Sequence, residues 1–226
     1  MGKAPTRDYP YIIDTLLGDT LYVGLYSSVE DWKNGKNMKT IIPSKGTQDF
    51  PYVVKKLIMH NNITTIGLRG LGGYGLEELI LSNNLRELHW GALVDGWENN
   101  LNKIKKIYLP KSLNNIYSDS ISYHMGGDTC EKIVVHPDNL KYSNDRFGVL
   151  YNKEKTVLMT FPMKFPYDFY QIPFIQGEIY RYAIGSSFSN VKFYYKGTKD
   201  QWNANVIVGD YNTNITIYCT DGTIKL

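Results

Sequence analysis

Ile107-Tyr-Leu-Pro-Lys-Ser-Leu-Asn-Asn-Ile116 opens on an apolar-x-apolar triplet, turns through Pro110 and Ser112, and closes on a second apolar pair, Leu113 and Ile116. In extended backbone, alternation puts Ile107 and Leu109 on one face of a short strand and Tyr108 on the other. Pro110 fixes φ, and the Asn114-Asn115 pair tolerates left-handed backbone, so the chain changes direction within a few residues. Such a strand-turn-strand element has one apolar side and too little material to bury it alone.

Three further segments follow the same pattern: Val54 to Ile66, Leu76 to Leu88 and Cys130 to Tyr142, alongside Ile104 to Ile116. Their first residues fall at 54, 76, 104 and 130, so they start 22, 28 and 26 residues apart. The central triplets Leu57-Ile58-Met59, Leu79-Ile80-Leu81, Ile107-Tyr108-Leu109 and Ile133-Val134-Val135 read as short strands whose outer residues enter the core. The pairs Ile63/Ile66, Leu85/Leu88, Leu113/Ile116 and Leu140/Tyr142 are expected to supply a second buried edge. Units that cannot bury their apolar side alone must stack and share it, which predicts a repeat solenoid with one strand per coil forming a sheet and few or short helices.

A Leu-x-Leu strand per unit at spacings in the twenties resembles leucine-rich repeats. The run 107–116 is similar to the repeat core of the BspA-type (Treponema-like) leucine-rich repeats of bacterial surface proteins. Ala183-Ile-Gly-Ser-Ser-Phe188 resembles that family's Ile-Gly-x-x-Ala-Phe stretch, with Ser187 where alanine is usual. Gly148-Val-Leu-Tyr-Asn-Lys-Glu-Lys-Thr-Val-Leu158, running on to Phe161-Pro162 and Tyr170-Gln-Ile-Pro173, resembles the variant unit in which a hairpin interrupts the solenoid. Phe193-Tyr-Tyr-Lys-Gly-Thr-Lys-Asp-Gln-Trp202 resembles the family's Tyr-x-Gly-Thr-x-x-x-Trp terminal unit. The copies are degenerate: Ala92-Leu93 and Ser120-Ile121 stand at the Ala-Phe position of two units, and Gly70 to Gly75 is glycine-rich. The expected division is therefore residues 1–50 as an N-terminal cap or attachment segment, and 51–226 as the solenoid, including a terminal unit at 191–226. Within the first segment, Tyr11-Ile-Ile13, Leu21 to Tyr26 and Ile41-Ile42 read as strand-like runs.

Composition narrows the function. Lysine and arginine total 25 against 22 acidic residues, a net charge of +3 spread without a basic run. Nucleic-acid binding through counterion release needs a concentrated cationic patch, so a nucleic-acid partner is not expected. Apolar stretches of a handful of residues fall far short of the ~20 a membrane helix requires, so membrane insertion is not expected either. Cys130 and Cys219 form no CxxC pair, and His60, His89, His124 and His136 show no ligand spacing, so the expectation is no metal, no cofactor and no catalytic group. Asp210 to Asn214, with Asp221 further on, only partly copies a calcium loop, because Ile215 stands where the loop needs glycine.

The residues opposite the core pairs are the candidates for contact: Ile58, Ile80, Tyr108 and Val134, with Tyr194 in the equivalent place of Phe193-Tyr194-Tyr195. Stacking would align them into an apolar and aromatic ladder flanked by Lys56, Glu78, Lys106 and Lys132, the composition of a protein-binding patch. Two readings are open for this face: a partner covers it, or another part of the chain does. Trp90 and Trp97 would extend the patch or fill the convex side. The resemblance implies a non-enzymatic, adhesion-like interaction scaffold at a bacterial cell surface or secreted. The N-terminal run Met1 to Asp8 has no apolar core of a secretory signal, and this motivates the alternative: a structural subunit of a multi-subunit assembly, such as a bacteriophage decoration or tail component.

Overall fold

A computed structural model describes residues 12–14, 20–24, 41–42, 55–67, 77–89, 92–93, 104–117, 129–184 and 188–226. The first part of the chain forms β1 (Ile12–Asp14), β2 (Thr20–Gly24), β3 (Ile41–Ile42), β4 (Lys56–Met59), β5 (Thr65–Ile66), β6 (Glu78–Ile80), β7 (Glu87–Leu88), β8 (Lys106–Leu109) and β9 (Asn115–Ile116). Strands alternate between two parallel ladders. The first runs β2-β4-β6, with Leu57 opposite Leu79 and Ile58 opposite Ile80. The second runs β3-β5-β7-β9, with Ile66 opposite Leu88 and Leu88 opposite Ile116. The units of β4/β5 and β6/β7 thus give one strand to each ladder, the arrangement of a repeat solenoid, while β9 joins the second ladder and β8 stands outside the first. Residues 1–50 enter both ladders: Leu21 of β2 is opposite Leu57, Ile42 of β3 is opposite Ile66, and β1 adds to β2 antiparallel.

The alternation read from the sequence sets the core. Leu57, Met59, Leu79, Leu81, Ile107, Leu109, Ile133 and Val135 are all buried, as are Ile63, Ile66, Leu85, Leu88 and Leu113 from the second edge. Ile116, expected on the same edge, is only partly buried against this core, and Leu140 is 80% exposed. For Leu140 the reason lies in the turn. Ile63, Leu85 and Leu113 each donate a backbone hydrogen bond to the carbonyl three residues back, from His60, Ser82 and Pro110, and in the next unit the residue doing so is Asn139, bonded to His136. Asn139, not Leu140, occupies the buried place. Its Nδ2 donates to the carbonyls of Pro110 and Leu113, and its Oδ1 accepts from the N–H groups of Lys141 and Tyr142, at 2.8–2.9 Å throughout. A buried amide so completely satisfied replaces an apolar rung without the penalty of an orphaned polar group.

The chain continues through β10 (Lys132–Val135), β11 (Tyr142–Asn144), β12 (Leu150–Asn152) and β13 (Val157–Thr160). β10 lies parallel to β8, while β11, β12 and β13 form the expected antiparallel interruption, turning at Lys153–Thr156 with Lys155 at φ 58°. The far edge of β10 is covered by this insertion: Ile133 N–H donates to the Gly148 carbonyl at 3.2 Å, Val135 N–H to Asn144 Oδ1 at 2.8 Å, and Lys164 N–H to the Cys130 carbonyl at 2.8 Å. Gly148 is required there. Its φ is +82°, and a Cβ would sit 3.0 Å from the Ile133 nitrogen and 2.5 Å from Lys132 Cγ.

Two parallel ladders then resume. β14 (Phe169–Gln171), β15 (Gly177–Ile179), β16 (Lys192–Tyr194), α1 (Lys199–Asn205), β17 (Val206–Val208), β18 (Thr216–Cys219) and β19 (Gly222–Lys225) complete the described elements. β14-β16-β18 form one ladder, closed by antiparallel β19, and β13-β15-β17 the other. Their core is aromatic, with Phe161 and Tyr170 edge-on at 4.8 Å and Phe161 and Phe193 at 5.5 Å. In the terminal unit Thr198 and Gln201 form a capping box that starts α1, whose Trp202 packs edge-on to Tyr195 at 5.1 Å. Asp221 Oδ1 accepts from Lys199 N–H, and buried Asn212 bonds Ile184 N–H and the Tyr180 and Gly209 carbonyls, so the partial calcium motif serves the backbone of the fold. Among the described residues no helix is long and apolar enough to cross a membrane.

Candidate interaction surface

The five predicted contact residues all lie opposite core neighbours, but the structure does not bring them onto one continuous sheet. Ile80 is 42% exposed, Tyr108 57% and Tyr194 38%, whereas Ile58 and Val134 are half-buried. Ile58 and Ile80 are cross-strand partners on β4 and β6, and Tyr108 and Val134 are partners on β8 and β10. Tyr194 belongs to the later sheet. There it faces Gln171 on β14 and Tyr218 on β18, its ring 5.3 Å from that of Tyr218. The inserted strands β11–β13 separate this aromatic group from the first four residues, so the single long ladder expected from the sequence is divided in two.

Between the two pairs the first ladder is interrupted. β6 lies beside β8, yet among the described residues no ladder pairing joins them, and β8 pairs only with β10. The second ladder crosses the same junction intact, with Glu87 opposite Asn115 and Leu88 opposite Ile116. This junction falls where successive units start 28 residues apart, the widest of the three spacings. At it lies a groove of about 320 Å³, walled by Ile80, Tyr108 and Val134 and rimmed by Asn83, Pro110 and Pro137 from the turns. Three of the five predicted residues therefore converge on one concave apolar site; Ile58 abuts it through Ile80, and Tyr194 is apart from it.

The charges flanking the face are not uniform. Lys56 Nζ is 2.9 Å from Glu78 Oε2 across β4 and β6. On the other side of the groove Lys106 stands opposite Lys132. The nearby acidic groups have other partners: Glu131 is 3.6 Å from Lys164, and Asp138 is 3.3 Å from Lys111. Burial pushes the Cys130 thiol up to about 12, and it lies in the core beneath β10, remote in character from a nucleophile.

Two features escaped sequence reasoning. Phe169, 48% exposed, shares the outward face of β14 with Gln171. Tyr182 and Tyr211 stack at 4.2 Å and 4°, each at positive φ, with the Arg181 guanidinium 5.3 and 5.6 Å from their rings. Positive φ in a tyrosine leaves no signature in composition, and only the spacing of 29 residues between Tyr182 and Tyr211 hinted at equivalent turns. Trp90, Trp97, His124, Ser187, Ser120-Ile121 and the Gly70 to Gly75 stretch lie outside the described residues.

Neither a protein-family model nor a curated protein sequence matches the chain. Solved structures do. A leucine-rich repeat protein from Eubacterium ventriosum superposes with a TM-score of 0.55 at 15% identity, over 89% of this chain and 68% of that one. The pneumococcal vaccine antigen PcpA superposes with a TM-score of 0.52 at 15% identity, over 92% of this chain and 67% of that one. The fold is a leucine-rich-repeat solenoid, and these neighbours agree with the BspA-type resemblance carried by the repeat sequences.

Proposed function

We propose that the chain is a non-enzymatic, adhesion-type interaction scaffold that binds a protein partner through the outer face of β4, β6, β8 and β10. The observation that carries this reading is the convergence of Ile80, Tyr108 and Val134 on an apolar groove that no described segment fills. Exposed aromatic and branched side chains around a concavity are the composition of an interface core, where apolar area is buried at low conformational cost. Tyr194, with Tyr218 and Phe169, forms a second aromatic contact region on the later sheet. Residues 1–50 act as a cap, because β2 and β3 continue both ladders beyond β4 and β5 and so cover their edges.

The test is capture of partners from native surroundings by the intact chain and by the Ile80→Asp/Tyr108→Asp double variant, with circular dichroism to establish folding. Loss of capture by the folded variant is expected. Equal capture by both would overturn the assignment of this face. If capture instead required residues 1–50 and ignored the face, the subunit of a larger assembly would be the better reading, with that segment as its docking module.

A further inference from the structure

We infer that the segment bound in this groove is an acidic peptide with one large apolar side chain, its carboxylates held by Lys106 and Lys132. The inference rests on the interaction face proposed above and adds the chemistry of its occupant. Along the outer face the first residue of each strand is charged, and where β4 meets β6 the pair is of opposite sign, Lys56 with Glu78 at 2.9 Å. Where β8 meets β10 the pair is Lys106 opposite Lys132, in direct register on parallel strands. Parallel strands lie about 4.8 Å apart, so two ammonium stems project side by side, a like-charge arrangement that costs stability and that an anion would relieve.

Among the described residues no carboxylate is paired with either lysine. Glu78 is engaged with Lys56, and Glu131 with Lys164. The Lys132 stem is moreover held in place, since its Cγ lies against the bare Cα of Gly148. The lysines sit two residues before Tyr108 and Val134 on the same strand face, about 6.6 Å along the strands from the groove. One extended segment could therefore place a large apolar side chain between Ile80 and Tyr108 while a carboxylate two residues away reaches the ammonium groups, because alternate residues of an extended peptide point the same way. Charge complementarity of this kind sets partner choice and speeds encounter.

The experiment uses the whole chain and three short fluorescein-labelled synthetic peptides: one of glutamate and glycine with a single phenylalanine, one with glutamine replacing glutamate, and one with glycine replacing phenylalanine. Anisotropy is read at low and high salt. The acidic, phenylalanine-bearing peptide is expected to bind roughly tenfold or more tightly than either control, with Lys106→Gln/Lys132→Gln abolishing that advantage and its salt dependence, and Tyr108→Ala weakening binding while leaving the salt dependence in place. Equal binding of the glutamate and glutamine peptides, or an unchanged affinity in the lysine variant, would overturn the inference while leaving the groove as an apolar interaction site. Displacement of the peptide by an RNA oligonucleotide as effectively as by unlabelled peptide would overturn it in favour of a general polyanion site. Failure of all three peptides, with native partner capture still sensitive to Ile80→Asp/Tyr108→Asp, would overturn the peptide chemistry alone.

Discussion

Asn139 shows how one side chain can end a run of apolar rungs. Its amide closes four hydrogen bonds to backbone groups of its own unit and the preceding one, where Ile63, Leu85 and Leu113 contribute only contact area. Asn139→Leu should therefore destabilise the chain despite restoring the apolar pattern, because it strands two carbonyls and two N–H groups; a loss of roughly 2–4 kcal/mol in denaturant unfolding is expected. Leu140→Ser, one residue on and 80% exposed, should leave stability within about 0.5 kcal/mol of the parent. The opposite ranking would return Leu140 to the core. Asp145 plays a comparable part in the insertion. Its Oδ1 accepts from the N–H groups of Phe147 and Val149, and its Oδ2 accepts from the buried Tyr170 hydroxyl at 2.7 Å, which in turn hydrogen-bonds Tyr151.

Among the elements, α1 depends most on local chemistry. Seven residues are too few for a helix to persist through propensity alone, so its cap and its packing must hold it. Thr198 Oγ1 accepts from Gln201 N–H, Gln201 Oε1 accepts from Thr198 N–H, and Trp202 fills the space beside Tyr195. Gly197 completes the entry, because a Cβ there would meet the Tyr195 ring at 2.4 Å. Thr198→Ala should cost about 1 kcal/mol, and Trp202→Ala about 3–5 kcal/mol through the cavity it leaves. Thermal melts would show this as a small and a large drop; equal drops would mean that the helix is held by neither device as described. The insertion β11–β13 is the other decisive element. By occupying the far edge of β10 it ends that sheet, and so assigns Tyr108 and Tyr194 to different sheets.

At the scale of the whole molecule, buried phenols and a thiol set a limit in alkali. Burial raises Tyr151 and Tyr170 well above the ordinary phenol value, raises Tyr142, and pushes Cys130 up to about 12. In the unfolded chain the thiol ionises near about 8.5 and the phenols near about 10. The native state then binds more protons than the unfolded one, so stability present at neutral pH is lost as pH rises past those values. Denaturation midpoints should fall from about pH 9 upward and more steeply past about pH 10, and Tyr151→Phe should flatten the second part. Midpoints independent of pH across this range would refute the burial of these groups.

Much of this fold is legible in its residues. Alternation about Ile58, Ile80, Tyr108 and Val134 identified both the buried pairs and the outward positions, because a strand's two-residue period is local and needs no knowledge of its neighbours. The hairpin and the terminal unit were legible instead through the resemblance of their motifs, Leu150-Tyr-Asn-Lys153 and Tyr195-Lys-Gly-Thr198 with Trp202, to the repeat family's variant and terminal units. The replacement of a leucine rung by Asn139 was not, since an alignment of apolar positions passes over a polar residue that satisfies the turn by hydrogen bonding. Nor was the groove, which depends on whether two adjacent strands pair, a consequence of the backbone path between units that no side-chain pattern encodes.

The interrupted first ladder beside an intact second one gives the junction of β6 and β8 the character of a book spine. Between the preceding units, where β4 pairs with β6 and β5 with β7, changing the curvature of the coil would strain backbone hydrogen bonds on both sides. Here the fastened side is β7 with β9; across the rest of the junction Leu79 and Leu81 pack into one core, and the Ser112 hydroxyl ties the turns by donating to the Asn83 and Leu85 carbonyls. The width of the groove can adjust to what enters it without any ladder bond having to break.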